Sequence, residues 1–89
     1  MKKFYLLSDN DIVEASNNEE LVYMMQFGTS YIKPMSQQEY MAMRAQNAYT
    51  NYKVNIRTDS VDNFVADLIK YKQIQVLTKQ QVKKHTRFN

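Results

Sequence analysis

Apolar residues recur at helical spacing in three segments, and a short polar residue able to cap a helix precedes each one. In the first, Ser16 or Asn17 stands before Leu21, Val22, Met24 and Met25. Glu19 or Glu20 holds the reciprocal capping position, and Gly28 offers a left-handed stop. The second opens on the capping box Ser36-Gln37-Gln38-Glu39 after Pro34. It carries Tyr40, Met41, Arg44, Ala45, Ala48, Tyr49 and Tyr52 along one broad face, with fraying expected near Tyr49. The third, Val61 to Tyr71, is capped by Asp59 or Ser60 and buries a stripe of Phe64, Val65, Leu68 and Ile69.

Other segments alternate with the period of a strand. Tyr52 to Arg57 places Tyr52, Val54 and Ile56 on one face and Lys53, Asn55 and Arg57 on the other, which predicts a half-buried strand. Lys3 to Leu7 and Ile12 to Ala15 flank the turn-forming Ser8-Asp9-Asn10-Asp11 and predict a hairpin. Ile74 to Thr78 predicts a last short strand. The fold class is therefore α+β, in the order ββααβαβ. Its sheet is mostly antiparallel or mixed, with helices on one face and a basic C-terminal tail. The expected organisation is a single domain over 1–78 and a tail over 79–89. A shift of 43 positions also aligns Val13 with Ile56, Asn17 with Ser60, Leu21 with Phe64, Val22 with Val65 and Met25 with Leu68. Any strand, cap and helix in succession gives such an echo; a duplication is the other explanation.

Charge separates along the chain. Residues 1–50 carry four Lys and Arg against six Asp and Glu, and residues 51–89 carry eight against three. The halves are thus −2 and +5. From Leu68 to Asn89 there is no acidic residue at all. Lys70 and Lys72 suit the end of a helix, where positive charge complements the dipole. Lys79, Lys83, Lys84 and Arg87 have no such role, and with Lys53 and Arg57 they are the candidate contacts for an anionic partner such as nucleic acid. Tyr52, Tyr71 and Phe88 interleave with them as bases would require for stacking, or as the edge of a core would supply.

The catalytic inventory is poor. There is no Cys, and the one histidine, His85, sits in the basic C-terminal run, where nothing holds it against a substrate proton. One imidazole and no thiolate cannot build a zinc site. Asp9, Asp11 and Glu14 have spacing that could touch a divalent cation, but they lack the glycine and terminal glutamate of a calcium loop, and a turn accounts for both aspartates. A single glycine excludes phosphate-cradling loops, and no base lies near the serines. The reading is a non-enzyme with no metal and no cofactor.

Met24, Met25, Met35, Met41 and Met43 crowd into twenty residues together with Tyr23, Phe27, Tyr31, Ile32 and Tyr40. Met fills core gaps and also lines adaptable binding surfaces. Met25 and Met41 fall on the expected apolar faces. Met24, Tyr31 and Met43 are the candidate protein-interface residues. The sequence thus predicts a small accessory or regulatory protein acting through protein–protein contact or self-association. Its eight Asn, eight Gln and lone Gly give it a phage- or mobile-element-like composition. The alternative is a nucleic-acid-binding regulator that uses the basic C-terminal end. Met1-Lys2-Lys3 opens like a secretory signal, but the apolar run Phe4 to Leu7 is too short to complete one, so a cytoplasmic protein without membrane contact is expected.

Overall fold

The structure is a computed structural model of the 89-residue chain, and it describes residues 3–7, 11–27, 35–78 and 80. Strands β1 (Lys3–Leu6) and β2 (Ile12–Ala15) form the expected hairpin, antiparallel from Lys3 opposite Ala15 to Leu6 opposite Ile12. The Leu7 N–H donates to the Asp11 carbonyl at 2.8 Å and closes it. Ser8, Asp9 and Asn10 lie outside the described residues. Strand β3 (Gln75–Leu77) pairs antiparallel with β1, so the sheet order is β2-β1-β3. Directly paired residues share a face. Tyr5, Val13 and Val76 therefore point one way, and Phe4, Glu14 and Leu77 the other.

All three helices form where their caps stand. In α1 (Asn18–Phe27) the Asn17 side chain accepts from the Glu20 N–H at 2.8 Å, and the Glu20 carboxylate accepts from the Ser16 N–H. Asn17 is thus the cap, rather than Ser16. The proposed stop, Gly28, lies outside the described residues. Helix α2 (Gln37–Tyr52) has both halves of the Ser36/Glu39 capping box, and α3 (Val61–Lys70) is capped by Ser60, which accepts from the Asn63 N–H at 3.0 Å. Asn18 donates to Asp62 at 2.9 Å and sets the first turns of α1 and α3 side by side.

The helices meet on the Tyr5 side of the sheet. Leu21, Val22 and Met25 of α1, Tyr40, Met41 and Ala48 of α2, and Phe64, Val65 and Leu68 of α3 close over Tyr5 and Ala15, joined by Ile56 and Ile74. Met25 and Met41 are core residues, as their positions on the apolar faces predict. Ile69 is not: it is 38% exposed, because it falls at the margin of the α3 stripe. Leu77, on the opposite face of the sheet, is buried outside this core.

One predicted strand is absent from the described sheet. Helix α2 runs past Tyr49 to Tyr52, and Lys53 ends it in the left-handed conformation at φ 61°, donating its N–H to the Tyr49 carbonyl at 2.9 Å. Residues 53–58 then form an irregular connector. Alternation survives there, with Ile56 buried, Val54 half-buried, and Lys53, Asn55 and Arg57 exposed. What the period recorded was one-sided burial, not pairing with a strand. The described order is therefore ββαααβ. The 43-residue echo is an echo of packing: Asn17 and Ser60 both cap helices, and all three aligned helical pairs are buried. Val13, however, lies in a strand, while Ile56 lies in the connector.

These packing differences set the expected cost of truncation. Phe64→Ala should lower stability by about 3–5 kcal/mol in urea titration, and Ile69→Ala by well under half as much. A second expectation concerns Lys53, whose left-handed backbone costs a Cβ clash that glycine lacks. Lys53→Gly should stabilise the fold by up to about 1 kcal/mol, read as a raised urea midpoint.

Candidate interaction surface

Of the residues expected to meet an anionic partner, Arg57 is engaged with Asp67 of α3, although its side chain stays 56% exposed. Its Nε donates to Asp67 Oδ2 and its Nη2 to Asp67 Oδ1, both at 2.9 Å, in a bidentate fork. The Arg57 backbone N–H also donates to Oδ2 at 2.9 Å. Asp67 is only 5% exposed although it belongs to α3, whose buried face is otherwise apolar. Three donors from one residue compensate its carboxylate for lost water. The side-chain hydrogen bonds from Arg57, and next its backbone N–H, hold Asp67 down at about 2, and the same pairing raises the Arg57 guanidinium. A buried aspartate on an amphipathic helix leaves a weak trace in sequence, since position 67 lies beside Leu68 and one turn after Phe64.

Lys53 stands at the C-terminal cap of α2 with Nζ 5.4 Å from the centre of the Tyr49 ring. Lys70 makes the equivalent contact with Tyr71 at 5.2 Å. Each is a cation resting on an exposed aromatic face. Lys53 and Arg57 thus do not share the polar face of a strand, because the strand is not formed. Lys79, Lys83, Lys84 and Arg87 lie outside the described residues.

Among the candidate protein-interface residues, Met24 is half-buried, Met43 is exposed, and Tyr31 lies outside the described residues. The larger exposed area on α1 belongs to two other residues of the Met- and Tyr-rich segment. Tyr23 is 57% exposed and Phe27 43%, and their rings stack at a tilt of 48° with centroids 4.8 Å apart. The i, i+4 spacing brings them together on the side of α1 away from Leu21, Val22 and Met25. That spacing was the available signal. The helix buries one apolar face and displays a second.

Other chemistry is sparse. Among the described residues no group of three or more His, Cys, Asp or Glu side chains converges as a metal site. Asp11 and Glu14 are exposed, and Asp9 is outside the described residues. Among the described residues, no helix is long and apolar enough to cross a membrane.

The depressed Asp67 sets an acid limb. Its folded value near 2 lies below the ordinary 3.8, so the unfolded chain binds the extra proton and the pair stabilises the fold fully above about pH 5. That contribution should fade as pH falls from about 5 through 2. Urea midpoints measured across this range should drop more steeply for the wild-type chain than for Asp67→Asn, which has lost its carboxylate and is less stable at neutral pH.

Comparison of the chain with protein-family models, with curated proteins and with solved structures gives no match.

Proposed function

We propose that the protein is a non-catalytic accessory or regulatory module that works by binding another protein through the outer face of α1. The observation that carries this reading is the Tyr23–Phe27 pair. Two large rings, braced against each other on a helix whose opposite face is locked into the core, lose little freedom on binding. Preorganised aromatic anchors of this kind dominate the energetics of interfaces. The poor catalytic inventory of the sequence agrees with a binding role. The second reading is nucleic-acid binding through Lys79, Lys83, Lys84 and Arg87; of its suggested allies on the folded domain, Arg57 pairs with Asp67.

The test is affinity capture with the immobilised full chain, followed by calorimetry with the protein it retains. Tyr23→Ser combined with Phe27→Ser should leave the circular dichroism spectrum unchanged and weaken binding at least about tenfold, a loss of about 1.4 kcal/mol. Capture that is identical for wild type and double variant would refute the assignment to this face. Binding instead to oligonucleotides, weakening steeply between 50 and 200 mM salt (about the range over which phosphate contacts are lost), would favour the alternative.

A further inference from the structure

We infer that the outer edge of β3 is a docking site for an extended acidic peptide, which would add to the sheet as a fourth strand. Among the described residues β3 is an edge strand, paired with β1 alone. An edge presents a row of backbone donors and acceptors that another chain can match. Beside it lies a groove of about 460 Å³, bounded by Ile69 at the end of α3, by Lys72 just beyond it and by Ile74, Gln75 and Val76. Ile69 and Val76 are 38% and 42% exposed, so two branched apolar side chains stand open at the place where the next strand would lay its own. Most edge strands are protected by charge or proline instead.

The charge of the rim selects the occupant. Lys72 lines the groove, Lys70 stands two residues before it, and residues 68–78 contain no Asp or Glu. The acid closest to them along the chain, Asp67, already carries three hydrogen bonds from Arg57. Lys72 is also held at φ 59°, where its N–H donates to the Ile69 carbonyl at 3.1 Å, which fixes the direction in which the chain leaves α3. A peptide alternating apolar and acidic residues would place its apolar side chains on Ile69 and Val76 and its carboxylates near Lys70 and Lys72. A second copy fits poorly, because edge-to-edge pairing would set the Lys72 of each copy beside the same shared groove. The groove is separate from the α1 face, so either assignment can fail without the other.

The probe is a synthetic capped heptapeptide, Asp-Val-Glu-Val-Asp-Val-Glu, titrated into the isotope-labelled full chain and followed by amide and methyl resonances. The expected result is saturable shifts confined to Ile69, Lys72 and Gln75–Leu77. Binding should weaken at least about tenfold for Lys70→Glu with Lys72→Glu, and equally for the same peptide with alternate amides N-methylated, which keeps charge but removes the strand's donors. Three outcomes would overturn the inference: no shifts at millimolar peptide, shifts that map elsewhere, or equal binding of the N-methylated peptide. A concentration-dependent dimer in light scattering, abolished by Val76→Lys, would overturn it in favour of a second copy.

Discussion

The bidentate pair of Arg57 with Asp67 is the constraint that fixes the connector between α2 and α3 against the helix it leads into. It ties the connector after α2 to the middle of α3 through both the side chain and the backbone of Arg57. With that tie in place, Ile56 reaches the core and the chain re-enters α3 at the Ser60 cap. The Gln38 side chain, donating to the Thr58 carbonyl at 3.0 Å, joins the start of α2 to the same connector. A buried carboxylate is costly alone, so the geometry that satisfies it excludes alternatives that would leave it bare. In a chain with one glycine and no disulfide, such a directional contact supplies a specificity that apolar packing lacks.

The core itself is simple. Phe64, Leu21, Leu68, Val22 and Val65 are the largest fully buried side chains, and all five come from α1 and α3. Helix α2 joins this pair through its first half and Ala48, while Tyr49 and Tyr52 stand exposed. The sheet adds Tyr5 and Ala15 from one face. The exposed apolar surfaces follow from this economy, because a small domain cannot enclose every apolar residue it carries. Tyr23 and Phe27 remain outside on α1, and Ile69 and Val76 remain outside at the β3 edge.

Much of this was legible in the residues. The Ser36 cap, a cap at Asp59 or Ser60, the buried stripe of Phe64, Val65 and Leu68, and the hairpin on either side of residues 8–11 follow from local chemistry and period alone, and the structure places the second cap at Ser60. The connector departs from the expected strand for a physical reason: period two reports that one side of an extended segment is buried, whether or not a neighbouring strand accepts its hydrogen bonds. The candidate site was less legible. Arg57 is an unattached charge in sequence and, in the fold, an exposed guanidinium paired with the buried carboxylate of Asp67. Met24 sits at the margin of the buried face, while Tyr23, its neighbour, projects outward.

The sequence by itself determined the elements, because caps, turn residues and apolar spacing act within a few residues of one another. It also determined the imbalance of charge and the shortage of catalytic groups. The tertiary structure alone decided which partner each polar group takes. Asp67 lies ten residues from Arg57, and their fork exists only once the connector has folded back along α3. It likewise decided which apolar residues are left outside, since exposure depends on where the other elements run out.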